Sequence, residues 1–301
     1  MYKPHRPWQK FYKHIIYGVP TYANPSSKTT TLERRQQLVR LAREFDALIV
    51  TDDVYDQLQW PASPSQATAG LPLTHASIPR IVDIDRTLDG GPPTPFGHAL
   101  SNGSFSKILG PGLRTGWAEA APALAYGLSQ TGTSRSGGAP SHIAAIFVAA
   151  LLARGELQRH VFGTLQPRLA VRYAALRGAV ERLLRPLGAE IEGQSGQLAV
   201  VGGYFLWVRV PVDAVRLARG AKDEQNLVVA EGAIFEVPGD REVARFPNHV
   251  RLCFAWEEED RLVEGVERLA AVLKRMLDDG DAAGGDAAVD EKREAELANS
   301  Y

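Results

Sequence analysis

Apolar positions along the chain alternate between two patterns. From residue 14 to 20 and from 47 to 50 they run together. The first run predicts a short buried strand, and the second a strand covered on both faces. Between them Leu32, Leu38, Leu41, Ala42 and Phe45 recur at helical spacing. Thr30, with Glu33 three positions later, has the form of a capping box. Strand, turn, helix and strand in this order predict a βαβ unit of a parallel sheet. Residues 61–97 are rich in Pro, Gly, Ser and Thr and read as surface connection, with a brief strand at 80–84. A further strand is expected at 116–120, and helices at 141–153 and 157–187.

Beyond that long helix the pattern changes. Residues 202–211 and 249–255 are strand-like, while 213–221 and 259–277 are helical. The expected fold class is therefore α/β, with two domains. Residues 1–165 form a mostly parallel sheet with helices, and 166–277 a smaller α+β domain. Residues 278–301, rich in Asp, Ala, Gly and Glu, read as a disordered acidic tail.

Composition narrows the function classes. The chain has 301 residues, of which 45% are hydrophobic and 23% charged, as in globular proteins. A net charge of -1 gives no electrostatic footprint for nucleic acid or an anionic membrane. Cys253 is the only cysteine, which leaves no intrachain disulfide and no cysteine-based metal site. No apolar run is long enough to span a bilayer, and the first residues lack the apolar core of a secretory signal. A cytoplasmic location is the expectation.

The chemistry concentrates at residues 101–117. Lys107 follows a Gly-Ser-Phe-Ser turn and precedes a Gly-Pro-Gly loop that ends in Arg114. A lysine amine with a lowered pKa is a nucleophile toward aldehydes. The hydroxyls of Ser104 and Ser106, the turn amides and a guanidinium together suit a phosphate dianion. A lysine nucleophile beside a phosphate cradle points to pyridoxal 5'-phosphate, which carries both an aldehyde and a phosphate. Asn24, Asp52 and the Lys107 loop each follow an expected strand. They should gather at the carboxyl edge of the sheet, where ligands of such sheets sit.

Five motifs in order carry a family resemblance. They are Val19-Pro-Thr-Tyr-Ala-Asn-Pro25, Asp52-Asp-Val-Tyr55, Ser104-Phe-Ser-Lys-Ile-Leu-Gly-Pro-Gly-Leu-Arg114, Gly203-Tyr-Phe-Leu-Trp207 and Val250-Arg-Leu-Cys-Phe254. The chain resembles fold-type I pyridoxal-phosphate enzymes of the class I/II aminotransferase group, nearest the 2-aminoadipate and aromatic aminotransferases. The likeness extends from about residue 14 to 277.

The resemblance implies a partial three-layer large domain, a homodimer, and transfer of an amino group between an amino acid and a 2-oxo acid. It implies that Lys107 forms the Schiff base and moves the substrate proton. Asp52 would pair with the ring nitrogen, and Asn24 and Tyr55 with the ring oxygen. Ser104, Ser106 and Arg114 would hold the phosphate, and Arg251 the substrate carboxylate. Asp53 competes with Asp52; Asp52 is favoured because it stands three residues before Tyr55. The segment at Arg135 resembles one near the cofactor at the dimer interface. Tyr204, Phe205 and Trp207 read as core, Cys253 as a small core residue, and His14 and His249 receive no role.

Two departures from the family pattern stand out. Ser27 occupies a position that is usually glycine. The chain also starts inside the family's large domain, so a glycine-containing phosphate loop and the aromatic that stacks on the ring are expected to be missing. A truncated enzyme, a degenerate relative and a chain complemented by another polypeptide all fit. The fold also hosts lyases and decarboxylases, and serves as the effector domain of some transcription regulators.

Overall fold

The computed structural model describes residues 6–62, 75–136, 141–193, 200–239 and 245–280. In chain order the elements are β1 (His14–Gly18), α1 (Leu32–Glu44), β2 (Ala47–Asp52), β3 (Gln59–Pro61), α2 (Ile81–Thr87), β4 (Ala99–Ser104), β5 (Gly116–Ala120), α3 (Pro122–Ser129), α4 (Gly132–Arg135), α5 (His142–Ala153), α6 (Glu156–His160) and α7 (Gln166–Ala179). There follow β6 (Glu190–Glu192), β7 (Val200–Gly202), β8 (Phe205–Arg209), α8 (Ala214–Gln225), β9 (Ala230–Glu231), β10 (His249–Cys253) and α9 (Glu259–Asp278). Two compact units divide the described residues. One takes those within 1–23, 28–168 and 196–203, the other those within 24–27, 169–195 and 204–280.

In the first unit a sheet runs in the order β1-β2-β4-β5. The pairs β1–β2 and β2–β4 are parallel, and β4–β5 is antiparallel. One face is packed. Val39 and Ala42 of α1 and Ile81, Val82 and Ile84 of α2 cover Ala47, Ile49 and Ala99. The other face carries Ile15, Tyr17, Leu48, Val50 and Asp52, and it is open: Ile15 and Tyr17 are 71% and 66% exposed. The expectations of a buried first strand and of a second strand covered on both faces are both corrected by this. β2 alternates buried with half-buried residues, so its apolar run serves one packed face and one open one.

Two helix readings also change. The cap of α1 is Thr31, whose hydroxyl accepts the Arg34 N–H at 3.3 Å. Thr30 is one residue too early; its own N–H still donates to Pro20 O at 2.8 Å. The buried side of α1 is Arg35, Val39 and Ala42, while Leu32, Leu41 and Phe45 are exposed. The stretch at 80–84 is not a strand but the start of α2. Asp83 Oδ2 accepts the Arg80 N–H at 3.2 Å and fixes the first turn. Buried Asp85 then accepts the His98 N–H at 2.7 Å and pairs with Arg43 at 3.0 Å, tying α2 to α1 and β4.

The second unit holds an antiparallel sheet in the order β6-β8-β10-β9. β8 is buried from Phe205 to Val208, as a strand between two packed layers must be. α9 buries Leu262, Val266, Leu269, Val272, Leu273 and Met276, a stripe at helical spacing. Asp213 caps α8 by accepting the Arg216 N–H at 2.8 Å. The expected single strand over 202–211 is broken at Gly203, whose φ is +81°. A Cβ there would lie 2.9 Å from the Tyr22 Cβ. Cys253, expected in the core, is exposed, because it sits on the outward side of β10. The expected tail lies outside the described residues from position 281 onward.

Candidate active site

Parallel pairing sets the arrangement in the first unit. β2 and β4 are neighbours, and Asp52 stands in register with Asn102. Asn102 Nδ2 donates to Asp52 Oδ1 at 2.9 Å. Asp52 is half-buried on the open face of the sheet. Asp53 points the other way. Its Oδ2 accepts from Thr51 Oγ1 at 2.6 Å and from Ser101 Oγ at 2.5 Å, and its carboxyl is buried. Strand alternation thus separates the two adjacent acids: one is presented and the other is consumed internally. Tyr17 of β1 lies beside Asp52; burial and then the Asp52 charge raise its hydroxyl above the usual range.

The chain leaving β4 makes a tight turn around the lysine. Phe105 O accepts the N–H groups of Leu109 and Gly110, at 2.9 and 3.1 Å, so the turn closes over Ser106, Lys107 and Ile108. Ser104 Oγ accepts the Ser106 N–H at 3.1 Å. The Phe105 N–H donates to Thr115 O at 3.1 Å and clasps the loop at its base. Phe105 and Trp117 pack there, with ring centroids 4.8 Å apart. Arg114 leaves the loop with a φ of +50°, exposed, and donates to Pro111 O at 3.2 Å. Ser104, Ser106, Lys107 and Arg114 therefore share one loop beyond the carboxyl end of β4. Asp52 closes the neighbouring strand β2, and the turn bearing buried Tyr55 follows it.

The other unit holds the remaining residues singled out in the sequence. Arg251 on β10 donates from Nη1 to Asn24 Oδ1 at 2.7 Å. Its guanidinium carbon is 4.1 Å from the Phe205 ring centroid and 4.7 Å from that of Phe235. Two aromatic rings and an amide oxygen thus fix the direction of the fork. Phe205 and Trp207 are core residues, as the sequence predicts; Phe205 also serves Arg251. Ser27, two residues past Pro25, has a φ of +53°, the left-handed region where glycine is at ease. Its buried hydroxyl donates to Phe205 O at 2.5 Å.

The sequence model of the family described as aminotransferase class I and II matches residues 13–269. The chain belongs to the class I and II aminotransferase family. An uncharacterized protein of Saccharomyces cerevisiae is 36% identical over 269 residues, which is 88% of this chain and 57% of that protein. Aromatic-amino-acid aminotransferase 1 of Thermococcus litoralis is 27% identical over 267 residues, 87% of this chain and 55% of its own length. Among solved structures, α-aminoadipate aminotransferase from Thermus thermophilus, complexed with N-(5'-phosphopyridoxyl)-L-leucine, aligns with a TM-score of 0.65 and 27% identity. That alignment covers 87% of this chain and 59% of the solved one. The chain spans a little over half the length of these relatives.

Three of the residues described above lack a motif of their own in the sequence. Asn102 is legible only through the pairing of β2 with β4. Tyr17 falls in an apolar run that reads as a strand, and Phe235 in a stretch without a pattern of its own. No helix among the described residues is long and apolar enough to cross a membrane.

Proposed function

We propose that this chain carries the reactive lysine, ring-nitrogen acid and carboxylate clamp of a pyridoxal-phosphate-dependent aminotransferase. It would move an amino group between an amino acid and a 2-oxo acid. The observation that carries this reading is the donor set on adjacent strand ends: the Asp52 carboxylate, the Lys107 amine, two serine hydroxyls and the Arg114 guanidinium. A basic ring nitrogen, an aldehyde and a phosphate are the complementary groups, so the residues present fit pyridoxal 5'-phosphate. When bound, that group supplies an electron sink for the carbanion formed at the substrate α-carbon.

The chain's own residues divide the remaining work. Asp52 holds a proton on the ring nitrogen through an ionic hydrogen bond, and Asn102 fixes the carboxylate that does so. Ser104, Ser106 and Arg114 bind the phosphate. Tyr55 and Asn24 hydrogen-bond the ring oxygen. Lys107 Nζ is the nucleophile and later the base that carries the substrate proton. Arg251 orients the substrate carboxylate through its fork. The two domains would comprise residues 1–165 and 166–277, in a cytoplasmic homodimer that binds neither nucleic acid nor membrane.

A second reading draws on the open sheet face beside Asp52. A site bounded by solvent on that side would hold the cofactor weakly, and the chain alone would turn over slowly. The test is glutamate formation from 2-oxoglutarate with a panel of amino-acid donors, using the full chain with added cofactor. Turnover that Lys107→Ala abolishes supports the transaminase; cofactor consumption without glutamate, or carbon dioxide release, points to another chemistry of the fold.

A further inference from the structure

Beneath the turn that follows Asp52 is a cavity of about 30 Å³ whose lining joins Asp53, Asp56, Arg80 and Ser101 with apolar Ile108 and Trp117. Two carboxyls open into it, and each residue is only 6% exposed. One oxygen of each is engaged. Asp53 Oδ2 takes the Thr51 and Ser101 hydroxyls, and Asp56 takes the hydroxyl of Thr21. The other oxygen of each, Oδ1, is buried and meets no donor among the described residues.

The neighbouring cations are committed elsewhere. Arg35 is fully buried, and its donors go to the carbonyls of Thr30, Pro79 and Pro20 and to the Thr21 hydroxyl. Arg80 is paired with Asp83 at 2.9 Å and with Glu119 at 2.8 Å. The remaining titratable neighbour, Tyr22, is pushed up to about 12, chiefly by burial, and stays neutral. Neither guanidinium makes a hydrogen bond to the two stranded oxygens. One proton would serve both, by turning one carboxyl into a donor and the other into its acceptor. The cavity has room for one water to relay that bond.

We propose that Asp53 and Asp56 hold a single proton between them, and that this half-neutral pair positions the turn that follows Asp52 and bears Tyr55. Two like charges in so dry a site do not both ionise. Both carboxyls are raised, Asp53 by burial and Asp56 by burial and then by the Asp53 charge, which pushes it up to about 7. Asp53 bridges Thr51 of β2 to Ser101 of β4, so a fixed Asp53 registers the two strand ends that carry the site. The pair stands apart from the transaminase reading, and its test reads protons and backbone position rather than turnover.

The folded chain keeps a proton that an unfolded carboxyl releases at about pH 4, so the pair's contribution to stability falls as pH rises from about 4 to about 7 and is flat above that. Asp56→Asn keeps a donor but cannot ionise. In urea unfolding of the full chain, the parent's folding constant should fall relative to Asp56→Asn by up to about tenfold per pH unit across that window. In the parent itself, labelled at the aspartate carboxyl carbons, one resonance should titrate near pH 7 and be lost in Asp56→Asn. Amide shifts of residues 52–55 should stay in place in Asp56→Asn and move in Asp56→Ala. The proposal is overturned if every aspartate titrates in the ordinary range, if the two unfolding profiles run parallel, or if Asp56→Ala leaves those amides unmoved. It is also overturned if replacing Na⁺ or K⁺ by choline at constant ionic strength shifts the parent's stability, since a cation would then occupy the cavity.

Discussion

Arg251 and Asn24, far apart in the chain, meet through a 2.7 Å hydrogen bond from guanidinium to amide oxygen. Phe205 and Phe235 hold the same guanidinium against their faces. The contact sets both position and plane, which a carboxylate-binding fork needs. Arg251→Lys keeps the charge and loses both the plane and the stacking. It is expected to lower kcat/KM for amino-acid substrates by about 100-fold, the equivalent of one to two charge-assisted hydrogen bonds. Steady-state kinetics with the full chain reads this directly, and an unchanged kcat/KM would remove Arg251 from the site.

Asp52 and Asp53 should part company when each is changed. Asp52 is half-buried and bonded to Asn102, whereas Asp53 is buried and holds two hydroxyls. Asp52→Ala is expected to leave thermal unfolding nearly unchanged and to abolish cofactor-dependent turnover. Asp53→Ala is expected to cost about 1–3 kcal/mol of stability through the stranded hydroxyls of Thr51 and Ser101. Unfolding curves and activity measured on both variants decide it; the reverse pattern would exchange the roles of the two acids.

Ser27 combines a strained backbone with a useful hydroxyl. Ser27→Ala keeps the left-handed φ and loses the bond to Phe205 O, at an expected cost of about 1–2 kcal/mol. Ser27→Gly loses the same bond but relieves about 1–2 kcal/mol of left-handed strain, so its net effect should be small. Urea denaturation of the two variants tests the ordering, and a glycine variant as unstable as the alanine one would contradict it.

Arg35 is the least replaceable residue of the first unit's core. Its guanidinium ties the Pro20–Thr30 segment to Pro79, and burial lowers its pKa. Arg35→Met strands those carbonyls and removes a positive neighbour of Asp56, and should cost about 3–5 kcal/mol. Adding Asp56→Asn should recover part of that loss. A double-mutant cycle with no coupling would show that the two residues act independently.

Much of this was legible in the sequence where a residue type has only one use. The helical patterns at 213–221 and 259–277 placed α8 and α9, and the order of β1, α1 and β2 announced parallel pairing. Strand alternation at Asp52 and Asp53 was readable as well, with one acid on the open face and the other turned inward. Errors arose where one pattern serves two structures. Ile81, Val82 and Ile84 read as a strand, yet they also fill one side of a short helix. Burial of Arg35 has no sequence signal, because burial of a guanidinium depends on acceptors contributed by distant loops. Exposure of β1 was not readable either: an apolar strand looks the same whether or not its open face is covered. The Arg251–Asn24 contact depends on tertiary placement that no local pattern encodes.

The central claim is that Lys107 lies in a cofactor site that this chain assembles. The most direct measurement is the visible absorption spectrum of the purified full chain with added pyridoxal phosphate, beside Lys107→Ala under the same conditions. The account predicts a new visible band in the parent chain that the alanine variant lacks. Identical spectra from two folded proteins would contradict it.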